Sequence, residues 1–182
     1  MDYHKFFKEY SNSITSLLDK VDTNLISQSV ELIKKAKNKN NKIYIVGNGG
    51  SASMASHVSV DFAKVARIPS STFNNANLIT CFANDYGYEN WVTEAIKAYC
   101  NNNDLFILIS SSGTSKNIVN AARYCKDHSI KLITLSGFNE NNPLSNLGDI
   151  NFHINSSDYN FIEMSHHIIL VSIVDIFAKK LF

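Results

Sequence analysis

Four short, strongly apolar runs separated by helical segments constrain the fold of this 182-residue chain more than any other feature. They lie at 43–46, 105–109, 132–135 and 150–154. The first three are apolar at nearly every position, which indicates strands covered on both faces. Segments typical of helices lie between the runs, at roughly 51–66, 86–99 and 115–127. Because strands that alternate with helices form parallel sheets with crossover helices, the sequence predicts a doubly wound α/β fold.

The remaining segments complete a three-layer αβα sandwich of the flavodoxin-like type. A weaker strand at 71–74 gives the parallel sheet five strands, and a short helix is predicted at 77–82. The final helix, at about 160–181, is apolar on most of its sides. A helix of that kind is buried in the interior of a protein, so we expect it to pack against the sheet.

Two amphipathic helices precede the predicted core. The first carries aromatic and aliphatic side chains at three- and four-residue spacing, and the second begins near Asp22 or Thr23 and ends at about residue 37. One helix at the edge of a domain cannot bury so many aromatic side chains, so we expect it to pack on a neighbouring subunit. We predict a single domain over 1–182, with a helical pair at 1–40 and an α/β core at 41–182.

Composition argues against several kinds of partner. Seventeen Lys and Arg residues balance sixteen Asp and Glu residues, so the net charge of +1 does not suggest a nucleic-acid-binding surface. The N-terminus lacks the pattern of a signal peptide, and no apolar run approaches the roughly 20 residues of a membrane span. Cys81, Cys100 and Cys125 lack metal-ligand spacing, so we expect buried thiols. These features predict a cytoplasmic protein without a nucleic-acid or membrane partner.

A glycine-rich turn, Gly47-Asn48-Gly49-Gly50-Ser51, joins the first predicted strand to a helix. Glycines let the backbone approach a ligand closely, and the first N–H groups of a helix can bind an anion. The turn matches neither GxGxxG nor GxxxxGK[ST], so no nucleotide cofactor is expected.

A second polar turn, Ser110-Ser111-Ser112-Gly113-Thr114-Ser115, follows another predicted strand and also precedes a helix. Its hydroxyls and N–H groups are suitable donors to a phosphate, although they could also serve only to cap the helix. Loops that follow parallel strands meet at the carboxyl edge of the sheet, where ligands bind. Two such loops in one small domain favour a phosphate site.

These segments resemble the sugar isomerase (SIS) domain family over nearly the whole chain. The resemblance rests on GNGGS with His57, on Asn84-Asp85-Tyr86-Gly87-Tyr88, on SSSGTS, and on residues 131–137. Within the family the chain resembles the phosphoheptose isomerases, which interconvert sedoheptulose 7-phosphate and a heptose 7-phosphate on the way to lipopolysaccharide or capsule. The resemblance implies a phosphorylated sugar as ligand and a homotetramer with sites between subunits. The implied substrate contacts are Asn48, Gly49, Gly50, Ser51, Asn84, Asp85, Ser110, Ser111, Ser112 and Ser115.

The family's catalytic or zinc-binding cluster is altered in this chain. Phosphoheptose isomerases have a His and a Glu four residues apart on the first crossover helix, and a Gln and a His eight residues apart on the last helix. The matching positions here are His57, Asp61, Glu163 and Val171. Aldose–ketose isomerisation needs a base beside the carbonyl and an acid for the enediol oxygen, and valine can be neither. Asn160 also stands where the family has Asp.

His167 offers a replacement for the missing histidine, because it lies four residues after Glu163 on the same helical face. Asp61, Glu163 and His167 are therefore the candidate catalytic residues, with Asp61 as the base. Together with His57 they could bind zinc or another divalent metal. Alternatively, His167 is an interface or core histidine, and His57 pairs with Asp61 as an ordinary contact on one helix.

Two functions follow from the resemblance. The first is an aldose–ketose isomerase that acts on a seven-carbon or similar sugar phosphate. The second is a non-catalytic SIS protein that binds phosphosugars or regulates a partner, for example by associating with a replication initiator. Retained phosphate loops with an altered acid–base set are compatible with both.

Overall fold

The computed structural model describes residues 1–182 and contains one sheet of five parallel strands in the order β2-β1-β3-β4-β5. This arrangement confirms the predicted α/β class. The strands are β1 (Ile43–Val46), β2 (Ser70–Ser71), β3 (Leu105–Ile109), β4 (Lys131–Gly137) and β5 (Ile150–Ile154).

Seven helices surround the sheet. Polar side chains begin several of them: Asp22 accepts a hydrogen bond from Asn24 at the start of α2, and Asp158 accepts from Asn160 and Phe161 at the start of α7. The helices are α1 (Tyr3–Leu18), α2 (Thr23–Asn38), α3 (Gly50–Lys64), α4 (Ala76–Tyr86), α5 (Trp91–Tyr99), α6 (Lys116–Asp127) and α7 (Tyr159–Ala178).

Each face of the sheet has its own apolar core. Alternate residues of β1 point to opposite faces, so Ile43 and Ile45 join a cluster with α2, α3 and α7, whereas Tyr44 and Val46 join a cluster with α5 and α6. Both faces are therefore covered, which explains why β1 and β3 are buried at every position.

The strand order places a topological switch point between β1 and β3. The chain leaves β1 through α3 to reach β2 on one side, and returns to β3 on the other side of β1. Val46 pairs with Leu108, so the turns that follow β1 and β3 lie next to each other at the carboxyl edge. Ligands bind in such a crevice in open α/β sheets.

The structure corrects the predicted helix at 86–99. That segment is interrupted at Gly87, whose φ of +84° ends α4, and α5 begins only at Trp91. The short helix predicted at 77–82 is correspondingly longer, because it extends to Tyr86. The predicted strand at 71–74 is only two residues long and lies at Ser70–Ser71.

The last helix corrects the expectation that no segment could cross a membrane. By length and composition alone α7 is apolar enough to do so. A core helix of a soluble protein has the same composition, and eight residues of α7 are buried against the rest of the fold. Packing inside the domain therefore accounts for its apolar character.

Candidate functional site

The glycine-rich turn after β1 is held in place by side chains from three other parts of the chain. Asn48 and Asn117 exchange two amide hydrogen bonds, with N···O distances of 3.0 and 2.9 Å. The Tyr88 hydroxyl donates to the Asn48 side-chain oxygen at 3.3 Å, and Asn74 donates to the Gly47 carbonyl at 2.8 Å. The turn is thus fixed at the point where α3 begins.

Two residues of this turn show why glycine is needed. Gly49 has φ +55°, a conformation that other residues rarely adopt. A Cβ atom on Gly50 would collide with the carboxylate of Glu163. The glycines therefore allow both the shape of the turn and the close approach of α7.

The serine turn after β3 is organised by its own hydroxyls. Ser110 Oγ donates to Ser115 Oγ at 3.0 Å, and the Ser112 and Thr114 hydroxyls lie 2.9 Å apart. Ser111 is only 6% exposed, and its hydroxyl has no hydrogen-bond partner of good geometry. The Glu163 carboxylate lies close enough for this hydroxyl to affect its pKa, so Ser111 is a donor that either Glu163 or a ligand in the cavity could use.

The two turns enclose one cavity of about 120 Å³ at the carboxyl ends of β1 and β3. Ser51, the second residue of α3, and Ser115, the residue that caps α6, line it, and the first N–H groups of a helix have no acceptor inside that helix. The cavity therefore combines hydroxyls with the positive ends of two helix dipoles. It is lined by Asn48, Ser51, Ile109, Ser110, Ser111, Ser112, Ser115, Tyr159 and Glu163.

Glu163 lies beside this cavity on the first half of α7. Burial raises the pKa of its carboxyl group, and the neighbouring Ser111 hydroxyl opposes that rise. The chain forms six ion pairs, and Glu163 belongs to none of them.

The other candidate catalytic residues form a hydrogen-bonded row further along α3 and α7. His57 Nε2 lies 3.1 Å from an Asp61 carboxylate oxygen, and His57 Nδ1 lies 2.9 Å from His167 Nε2. Burial, and secondarily the neighbouring His57, lower the pKa of His167, although Asp61 opposes this. The lowered pKa favours the neutral form of the His167 imidazole.

The predicted metal ligands do not form a metal centre in this arrangement. No group of three or more His, Cys, Asp or Glu side chains surrounds a common point. The ring nitrogens of His57 and His167 are hydrogen-bonded to each other, and the Glu163 carboxylate lies against Gly50 and not beside the two histidines. The residues as arranged do not fit zinc, and metal binding stays a prediction.

The structure brings together most, but not all, of the predicted substrate contacts. Asn48, Ser51 and the serines at 110, 111, 112 and 115 line the cavity, whereas Gly49 and Gly50 belong to the same turn but are not among its lining residues. Asn84 and Asp85 are exposed at the end of α4 and bond to each other at 3.0 Å. Their predicted role stays a prediction, although the nearby Tyr88 does reach the glycine-rich turn.

Two residues of the site were missed by the sequence interpretation. Tyr159 lines the cavity from the start of α7, and Asn117 holds Asn48 from the first turn of α6. No motif signals either residue. The one available signal for Asn117 was its position two residues after Ser115, at the start of the helix that follows the serine turn.

Comparisons with known proteins identify the family. A SIS domain family model matches residues 6–137. The phosphoheptose isomerase of Helicobacter pylori (strain P12) is 34% identical over 166 residues, which cover 86% of this chain and 86% of that protein. Phosphoheptose isomerase 2 of Campylobacter jejuni is 41% identical over 128 residues, covering 64% of this chain and 62% of that protein.

Solved structures show the same fold. A phosphoheptose isomerase from Francisella tularensis superposes with a TM-score of 0.86 at 23% identity, covering 98% of this chain and 100% of that one. The phosphoheptose isomerase from Neisseria gonorrhoeae superposes with a TM-score of 0.87 at 20% identity, with the same coverage. The chain therefore belongs to the SIS domain family, among the relatives of the phosphoheptose isomerases.

Proposed function

We propose that this protein is an aldose–ketose isomerase that converts sedoheptulose 7-phosphate to D-glycero-D-manno-heptose 7-phosphate. The observation that carries the proposal is the cavity at the β1–β3 switch point, where the buried serine hydroxyls of the turn after β3 and the N-terminal ends of α3 and α6 converge. These groups are suitable donors to the phosphate of the sugar. The named relatives favour this isomerase over a non-catalytic binding module.

The acid–base chemistry is assigned to Asp61, His57 and His167. Isomerisation requires removal of a proton from the carbon beside the carbonyl and delivery of a proton to the enediol oxygen. The Asp61 carboxylate can accept a proton and the His167 imidazole can transfer one, and His57 lies between them, with Nε2 3.1 Å from Asp61 and Nδ1 2.9 Å from His167 Nε2. His57 is seven residues after Gly50, about 10 Å along the axis of α3. A sugar whose carbonyl lies several bonds from its phosphate could place the phosphate at the N-terminus of α3 and the carbonyl beside His57.

Zinc binding is a separate part of the proposal and needs its own test. Should a divalent metal bind, His57, Asp61, Glu163 and His167 are the side chains available to hold it, and it would polarise the sugar oxygens. Side-chain rearrangement would be needed, since the donors do not converge. Metal analysis of protein purified without chelators, compared with His57→Ala, tests this point.

The oligomer and the cellular setting complete the proposal. Helices α1 and α4 have no buried residue, and α1 exposes the aromatic rings of Tyr3, Phe6 and Phe7. Such apolar surface supports a homotetramer with sites between subunits. We place the enzyme in the cytoplasm, where its product would supply heptose for lipopolysaccharide or capsule. Light scattering that gives the mass of a monomer would contradict the tetramer.

Turnover of sedoheptulose 7-phosphate tests the function directly. The purified protein should form heptose 7-phosphate, and Asp61→Asn should lower kcat at least tenfold because the carboxylate base is lost. Asp175→Asn is the matched control, because Asp175 is exposed near the far end of α7 and pairs only with Lys179. If sedoheptulose 7-phosphate raises the melting temperature but is never converted, the protein is a binding module instead.

A further inference from the structure

Asn117 carries a buried amide that forms hydrogen bonds with one other side chain only. It lies in the first turn of α6 and is 2% exposed. Its Nδ2 donates to Asn48 Oδ1 at 2.9 Å, and its Oδ1 accepts from Asn48 Nδ2 at 3.0 Å. Because a buried amide without partners is costly, this reciprocal pair fixes the two side chains relative to each other.

Asn48 is the member of the pair that reaches the cavity. It lines the cavity from the glycine-rich turn, whereas Asn117 is not among the lining residues. Tyr88 adds a third hydrogen bond, since its hydroxyl donates to Asn48 Oδ1 at 3.3 Å. An amide oxygen can accept two hydrogen bonds, and an amide nitrogen can donate two. The Asn48 oxygen is therefore fully used, and one of its Nδ2 hydrogens is left for a ligand.

We propose that Asn117 is a positioning residue that orients Asn48 as a hydrogen-bond donor to the sugar phosphate. In this orientation Asn48 offers an N–H group and no free acceptor, which suits an oxygen of the ligand, such as one on its phosphate. An unrestrained asparagine side chain would have to be ordered when the ligand binds, and that ordering lowers affinity. The pair with Asn117 orders the Asn48 amide in advance. Asn117 thus acts on the ligand through Asn48 and does not touch it.

The same pair also connects two elements of the fold. Asn48 follows β1, and Asn117 belongs to the helix that follows β3, so the pair joins the two turns that enclose the cavity. A purely structural tie would stabilise this junction whether or not Asn48 contacts the ligand. The two roles differ in whether the effect of Asn117 on affinity depends on Asn48. The inference rests on the proposed function, since it requires the cavity to bind a sugar phosphate.

A double-mutant cycle in the dissociation constant of sedoheptulose 7-phosphate, measured by calorimetric titration, tests this dependence. Asn48→Ala should weaken binding at least about tenfold, because a hydrogen bond to a charged phosphate is lost. Asn117→Ala should weaken it about fivefold, because the Asn48 amide is no longer held. The double variant should bind within about twofold of Asn48→Ala, since Asn117 then has nothing to position. Independent contributions would instead multiply to about fiftyfold.

Turnover of sedoheptulose 7-phosphate provides a second readout. An N–H group that contacts the phosphate, away from the reacting carbons, binds the substrate and the transition state alike. Asn117→Ala should therefore raise KM about fivefold and change kcat by less than about twofold. A lower kcat with an unchanged KM would overturn the inference.

Two further variants control for folding and for stability. Asn117→Ser keeps a small polar group in the first turn of α6 but is too short to replace the pair of bonds, so it takes the place of Asn117→Ala if the alanine variant does not fold. Asn151→Ala is the matched control, because the partly buried Asn151 amide bonds to Gly148 and Thr134 at the start of β5 and does not line the cavity. It should lower the melting temperature and leave the dissociation constant and KM unchanged.

Each possible result decides the inference. Additive losses in the cycle, or unchanged affinity in Asn117→Ala and Asn117→Ser, would overturn it and leave the proposed function intact. Equal weakening by Asn151→Ala would mean that lost stability is responsible, and would overturn it as well. Binding without turnover would overturn the proposed isomerase while the cycle still decides the role of Asn117. Failure of the wild type to bind the sugar phosphate would overturn both.

Discussion

Acidification should destabilise this protein through one buried histidine, His166. Its side chain on α7 is fully buried, and its Nε2 lies 3.0 Å from the Ser136 carbonyl oxygen at the carboxyl end of β4. Its Nδ1 has no partner. Burial lowers the pKa of His166 to about 4. The hydrogen bond to the Ser136 carbonyl acts in the opposite direction, and the nearby His153 lowers the pKa further. The imidazole is therefore neutral in the folded protein at pH values where the unfolded chain is protonated.

The sign and size of the effect follow from proton linkage. Between its unfolded pKa of 6.5 and its folded pKa of about 4, His166 binds more protons in the unfolded chain than in the folded protein. The free energy of unfolding therefore falls as the pH falls through this window, and it is unaffected by His166 above it. The difference between the two pKa values corresponds to about 3 kcal/mol. That is a large fraction of the stability of a typical domain.

Urea unfolding at a series of pH values and a fixed protein concentration measures this loss. The fluorescence of Trp91 reports unfolding, because it is the one tryptophan and is fully buried. In His166→Gln the loss of stability between about pH 7 and pH 4 should be smaller than in the wild type by about 3 kcal/mol. His4→Gln, which removes an exposed histidine, should follow the wild-type profile. A His166→Gln profile parallel to that of the wild type would refute the argument.

Two further predictions concern a turn and the thiols. Gly113→Ala should lower the free energy of unfolding by about 3 kcal/mol, because Gly113 has φ +67° and a Cβ atom there would collide with the Asn142 side chain. Denaturant unfolding measures this loss, and a value below about 1 kcal/mol would contradict the prediction. In the native protein Cys81 should be the one thiol that reacts quickly with a disulfide reagent, since burial raises the pKa of both Cys100 and Cys125 to about 12. Rapid reaction of a second thiol before denaturant is added would count against that assignment.

The sheet could be predicted from the sequence because its strands are buried on both faces. Continuous apolar runs such as Ile43–Val46 have few alternatives, and polar turns mark their ends. The break at Gly87 could not be predicted, since a single glycine with positive φ looks the same in sequence as one inside a helix. The two-residue β2 was misplaced because a short edge strand carries almost no periodic signal.

The two turns of the site could be predicted for a similar reason. Each follows a strand and precedes a helix, and parallel strands bring their carboxyl ends to one edge. Side chains from α7 could not be placed in the same way. Which residue of a helix meets the sheet edge depends on how that helix packs, and the contact between Glu163 and Gly50 arises from the packing of α7 on α3.

Under the proposed function, the altered acid–base set corresponds to a shift of one helical turn along α7. Val171 cannot transfer a proton, and it packs beside the apolar cluster under α7. One turn earlier, His167 lies on the same side of α7 and meets His57 across the helix interface. A helix rises about 5.4 Å per turn, so the imidazole moves along α7 but keeps its contact with α3. Besides the Asp61 base, the proposed chemistry needs a second group that can transfer a proton, and the His167 imidazole can be that group where Val171 cannot.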